Sequence, residues 1–142
     1  LREGSGPWLS LRCDRPEAPQ QPAVRFIAPE AMLALRHRGI ASDHGLAVAG
    51  MRDMLAVYDD DRRSIYLRQD WRGDSAAGLS IVVHEMVHHM QNAAGLTFAC
   101  PEAREDQAFA AQQEWLALFG KDLATEFDLD PFTLLVRTNC SL

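Results

Sequence analysis

Apolar and polar positions divide the chain into a strand-rich front and a helical back. Val24, Phe26 and Ile27 form a short strand-like run. Pro29, followed by Glu30, Ala31, Met32, Leu33, Ala34 and Leu35, predicts a helix with proline in its first turn. Its basic end, Arg36 to Arg38, and then Gly39 fit a helix stop, because cations suit the negative end of the dipole. Three further short runs follow: Leu46 to Met51, Met54 to Tyr58, and Ser64 to Arg68, where Ile65 and Leu67 alternate with Tyr66 and Arg68. They predict a small antiparallel meander. Asp59, Asp60 and Asp61 between the last two runs read as a solvated turn, since neither a Gly nor a downstream Glu stands at calcium-loop spacing.

After Gly73 the period becomes helical. Asp74 or Ser75 can cap a helix running to about Ala93, with Gly95 beyond as its stop. Pro101 opens a second helix, expected to reach about Phe119 before Gly120, and Asp130–Pro131 opens a last one. Strands first and helices after predict an α+β domain. Residues 1–22 hold Gly4, Gly6 and four prolines without apolar period, which suits an N-terminal extension or strap; residues 23–142 then form a single domain.

Composition narrows the field of functions. The 142 residues carry 47% hydrophobic positions, enough for one core. Fourteen Lys and Arg against 20 Asp and Glu give a net charge of −6, which argues against nucleic acid as partner. No apolar stretch approaches the ~18 residues of a membrane span.

The chemistry concentrates in His84-Glu85-Met86-Val87-His88, an H-E-x-x-H within the first long helix. Spacing of four residues brings both imidazoles to one face, about 40° apart, so both can reach one ion. Glu85 lies about 100° round, where it can flank the open position of a metal and act as general base. Ile81, Val82, Val83, Met86, Val87 and Met90 make the helix too apolar to be a solvated surface element. Buried His and Glu side chains need partners.

A catalytic zinc wants a third protein ligand and then water. On the next helix Glu105 shares a face, within about 60°, with Ala108, Phe109, Gln112, Leu116 and Phe119. A carboxylate centred in an apolar stripe is costly unless paired, which makes Glu105 the first candidate and Glu102, at the stripe's edge, the second. Ala108, one turn on, leaves room for the two helices to approach closely.

His84-Glu85-x-x-His88, followed 17 residues later by Glu105-x-x-Ala108, resembles the zincin metallopeptidases of the gluzincin type. It is similar in particular to small bacterial members with little beyond the minimal catalytic core. The resemblance covers about residues 75–119. It implies a zincin-like domain with one Zn²⁺ per chain, held by His84, His88 and Glu105. It also implies cleavage of a peptide or protein substrate by a zinc-bound water that Glu85 activates. Many gluzincins carry an Asp four residues after the glutamate ligand to orient a histidine; here that position is Phe109.

The remaining polar residues have weaker roles. His89 points about 140° from His84 and reads as a packing or outer-shell residue. Gln91 falls on the ligand face, within reach of water or substrate. Tyr58, Tyr66, His37 and His44 can each donate to an oxyanion. Trp71 and Trp115 read as core aromatics. Of the three cysteines, Cys100 and Cys140 suit a disulfide tying the glutamate helix to the last helix, a device that favours a periplasmic or secreted setting over the cytoplasm. Two rivals stand beside the peptidase: a metal-binding or interaction module with little turnover, and a metal-dependent hydrolase of non-peptide amides.

Overall fold

The computed structural model describes residues 20–37, 46–48 and 53–140. In chain order the elements are β1 (Ala23–Ile27), α1 (Pro29–His37), β2 (Leu46–Val48), β3 (Asp53–Asp59), β4 (Ser64–Arg68), α2 (Ala76–Ala93), α3 (Pro101–Ala117), α4 (Leu123–Glu126) and α5 (Pro131–Thr138). The architecture is α+β. No described helix is long and apolar enough to cross a membrane. Residues 1–19 of the expected strap, the helix stop at Arg38–Gly39 and residues 49–51 of the first expected meander strand lie outside the described residues.

The three expected meander strands pair antiparallel, and the departure from an all-antiparallel sheet is β1. The sheet order is β1-β4-β3-β2, with β2, β3 and β4 antiparallel and β1 parallel to β4. The mixed topology follows from α1: β1 enters the sheet through a crossover rather than a hairpin, and a crossover can deliver a parallel neighbour. Val24 faces Ile65 and Phe26 faces Leu67 in that register.

Period-two alternation in β3 and β4 sends side chains to two layers. Ala56, Tyr58, Ile65 and Leu67 point to the helical side and pack with Ile81, Phe109, Leu116, Leu123, Phe127 and Leu129. Val57 points the other way, to Met32 and Leu35 of α1, with Tyr66 and Ile27 beside them. Trp71 and Trp115 border the core and are only half-buried. Their indole N–H groups donate to the carbonyls of Gly78 and Ala76 at the start of α2. Gly78 must stay small there: a Cβ would lie 2.3 Å from the Arg72 carbonyl oxygen.

The acidic turn is solvated at Asp60 and Asp61, as expected, but not at Asp59. Asp59 is buried and accepts from the backbone N–H groups of Asp61 and Arg62, while its other oxygen takes the Arg62 guanidinium. Asp60 forms a two-pronged bridge to Arg104 of α3, at 2.9 and 3.0 Å. The turn is thereby tied to the helix that carries Glu105.

Capping explains where the helices begin and end. Ser75 Oγ accepts from Gly78 N and starts α2; Gly95, in the left-handed region at φ 70°, ends it. Cys100 occupies the N-cap of α3 without a side-chain cap bond; its sulfur is bonded to that of Cys140 just after α5, with the Cα atoms 5.9 Å apart. Asp130 caps α5 through Thr133 N. The third element deviates from expectation: α3 stops at Ala117 rather than near Phe119. Helical phase is lost there, and Phe119 is 53% exposed instead of continuing the Glu105 face. α4, four residues capped by Asp122, is too short to show a period in sequence.

Candidate metal centre

α2 and α3 pack against each other and build the centre between them. Ala108 and Ala111 of α3 lie against Val83, Val87 and Met90 of α2, so small residues bring the two backbones close. In this interface His84, Glu85, His88 and Glu105 are all buried, with Glu85 at 0% exposure. Helix spacing alone places His84 and His88 together, their ring centroids 5.0 Å apart. Glu105 reaches across from α3: Oε1 lies 2.9 Å from His84 Nε2, and Oε2 lies 3.0 Å from His88 Nε2. Ligand atoms of His84, His88 and Glu105 all lie within 4.8 Å of one another, a set that could hold a metal ion. Glu102, the second candidate, is half-buried and outside that group.

The far side of each imidazole is held by an amide. His84 Nδ1 meets Gln112 Oε1 at 3.0 Å, and His88 Nδ1 meets Gln91 Oε1 at 2.9 Å. Both amide orientations follow from the surrounding donors and acceptors. Gln91 Nε2 donates to the Arg104 carbonyl and to Gln107 Oε1, so its oxygen faces the ring. Ser80 Oγ gives its single proton to the Ala77 carbonyl at 2.7 Å and must accept from Gln112 Nε2. The Gln112 oxygen therefore also faces its ring. An amide oxygen cannot donate, so both Nδ1 atoms carry hydrogen.

In a neutral imidazole this leaves Nε2 as a lone pair. Two such lone pairs then face the two oxygens of a carboxylate inside a buried interface, which repels unless a cation or added protons lie between them. His88 Nε2 and Glu105 Oε2 show the mismatch directly: despite their 3.0 Å separation neither atom makes an aligned hydrogen bond. Two imidazole nitrogens and a carboxylate, converging from a buried shell, could hold a metal ion. Burial pushes the Glu105 carboxyl up, but added protons supply what a cation otherwise would: positive charge on His88 and a hydrogen bond from His84 Nε2 to Oε1 outweigh burial and hold the carboxyl at about 2, so it stays ionised.

His89 follows the opposite pattern. It turns to the sheet, where its Nε2 faces the Gln20 carbonyl and its Nδ1 accepts from the Tyr58 hydroxyl at 2.8 Å. Asn92 Nδ2 donates to the same hydroxyl oxygen. Burial raises the Tyr58 phenol, which keeps its proton. Both His89 nitrogens and the Tyr58 hydroxyl are thus committed within the fold.

Of the oxyanion candidates, Tyr58 thus has its proton engaged by His89. Tyr66 packs on the α1 side of the sheet, away from the centre. His44 and the side chain of His37 lie outside the described residues. Gln91 is buried and holds His88, so it does not face substrate as its helical phase suggested. Phe109, in place of an orienting Asp, packs its ring edge-on against His84 with centroids 4.7 Å apart. The orienting role falls to Gln112, one turn further on. Its signal was present in the sequence: a glutamine on the same stripe as Phe109 and Leu116, where a polar side chain needs a partner. Arg104 was not singled out either. Burial works against its charge, and the Asp60 carboxylate more than offsets this, raising it further.

Residues 4–142 match DUF6647, a domain of unknown function, and the chain belongs to that family. No curated protein and no solved structure matches the chain.

Proposed function

We propose that this protein is a zinc-dependent hydrolase, a metallopeptidase on a zincin-like minimal domain. One observation carries the reading: the Nε2 atoms of His84 and His88 and the Glu105 carboxylate converge in a buried interface, with the outer nitrogens already committed to amides. His84, His88 and Glu105 would hold the ion, and Glu85, buried beside His84 on the same helix, would serve as the base. Bound there, zinc supplies Lewis acidity that polarises a scissile carbonyl and makes water acidic near neutral pH.

Glu85 is the residue placed to move the proton. It sits one position after His84 and three before His88, on the flank of the ligand face rather than in it. Its carboxylate takes a proton from the attacking water and passes it to the leaving amine. Among the described residues β1 and β2 are the edge strands, and an extended substrate backbone can add to such an edge while its side chains alternate.

The test pairs metal content with turnover. Zinc-loaded protein is expected to hold one equivalent and to cleave members of a mixed peptide library. Glu85→Gln keeps the metal and loses cleavage, because a near-isosteric amide cannot accept the proton. Wild-type turnover in Glu85→Gln overturns the general-base assignment. Less than about a tenth of an equivalent of zinc after loading overturns the metal centre itself.

The complete burial of His84 and Glu85 favours a second reading, a closed metal-binding module without turnover, since structural sites are closed and catalytic ones keep an open position. Full zinc occupancy with no cleavage of peptides or of small amides selects it.

A further inference from the structure

We infer that Gln112 and Gln91 are positioning residues that lock His84 and His88 as Nδ1–H tautomers, presenting both Nε2 lone pairs to a divalent cation from a neutral, amide-only outer shell. The inference rests on the zinc reading for its consequences but on the hydrogen-bond network for its geometry.

The two glutamines act from different elements. Gln112 reaches His84 across the helix interface, and its amide is clamped by Ser80, whose own proton is spent on Ala77. Gln91 stands three residues after His88 on the same helix, and its amide is clamped from α3 by the Arg104 carbonyl and Gln107. Arg104 immediately precedes Glu105, so the His88 ring is oriented by the backbone of the residue next to the third ligand. Both amides are themselves fully buried, which keeps water from competing for either Nδ1–H.

An amide differs from the carboxylate that commonly backs a metal-bound imidazole. It accepts the Nδ1–H bond without adding charge, so the imidazole is oriented but made less basic than a carboxylate would make it. The centre then keeps one anionic ligand only, Glu105, and a bound dication stays strongly electrophilic. Gln112 can be exchanged for a carboxylate, because the Ser80 hydroxyl can rotate its proton from Ala77 to the new oxygen. Gln91 cannot, because a carboxylate there would face the Arg104 carbonyl.

Imidazole ¹⁵N spectra of the full chain, metal-free and zinc-loaded, together with zinc competition against a chelator, test this. Wild type is expected to show hydrogen on Nδ1 of both His84 and His88 in each state. Gln112→Leu and Gln91→Leu should each weaken zinc by about 10- to 100-fold. Gln112→Glu should restore or exceed wild-type affinity and shift the His84 Nδ1 resonance. A neutral Nε2–H tautomer at either ring overturns the inference, as does wild-type zinc affinity in Gln112→Leu. If wild type takes up no zinc, the hydrolase reading fails, yet the metal-free spectra still decide the tautomers. The same spectra decide if a leucine variant does not fold.

Discussion

His88 and His89 are neighbours in sequence, both buried, yet they sit in opposite chemical worlds. His89 faces the sheet, where the Gln20 carbonyl and the Tyr58 hydroxyl engage both its nitrogens and Asn92 donates to the same hydroxyl. His88 faces α3, where one nitrogen is committed to Gln91 and the other lies against Glu105 without an aligned bond. Burial therefore does not distinguish a candidate ligand from a structural histidine. What distinguishes them is whether the surrounding acceptors leave a lone pair with nothing to hold it. The sheet face of α2 is closed polar packing; the α3 face gathers ligand atoms of His84, His88 and Glu105 within 4.8 Å of one another.

Zinc should separate the two faces most strongly. At a free concentration 1,000 times its Kd, the ion is expected to stabilise the fold by about 4 kcal/mol. Glu105→Ala should weaken binding at least ~10-fold and Glu102→Ala leave it near wild type, as read by chelator titration. In metal-free protein the Glu105 carboxylate carries a pH signature. Its folded value lies below the ordinary one, so its stabilisation is complete above about 4.5 and is lost as pH falls to about 2. The stability difference between wild type and Glu105→Gln should shrink across that window in urea titrations.

Among the described residues, the α3 side carries a covalent anchor and the sheet side none. Cys140→Ser opens a loop with a sequence separation of 40. In the chain-entropy picture it should cost about 3–4 kcal/mol, read by thermal unfolding with and without reductant. Reductant should then lower the melting point of wild type and leave the variant unmoved.

His89→Phe breaks the comparison from the other side. It strands the Tyr58 hydroxyl and the Gln20 carbonyl and should cost about 1–3 kcal/mol. Zinc affinity should stay at the wild-type value. A large loss of zinc in this variant would mean that the two faces of α2 are coupled rather than separate. Ser75→Ala, which removes the N-cap of the helix both histidines share, should cost about 1 kcal/mol, equally with and without zinc. A cost that differed between the two states would tie the metal centre to the far end of α2.

Local rules acted on the sequence wherever a single element sufficed. A helix repeat of 3.6 residues puts His84 and His88 on one face whatever surrounds them, and the same repeat turns His89 away. Ser75, Gly95, Pro101 and Asp130 mark helix ends because capping and φ preference involve only neighbouring residues. The phase set by Pro101 singled out Glu105 on an apolar stripe, and the structure brings it to both histidines. Other features needed contacts far apart in the chain. Whether β1 joins the sheet parallel or antiparallel depends on the α1 crossover, not on Val24 or Phe26. That Asp59 is buried and Asp60 bridges to Arg104 depends on where α3 passes. Gln91 illustrates the division most sharply: its helical phase was readable, but only the Arg104 carbonyl arriving from α3 turned its oxygen to His88. Which proton sits on which nitrogen was likewise decided by tertiary packing, because a tautomer is chosen by the partner a ring meets and not by its place on a helix.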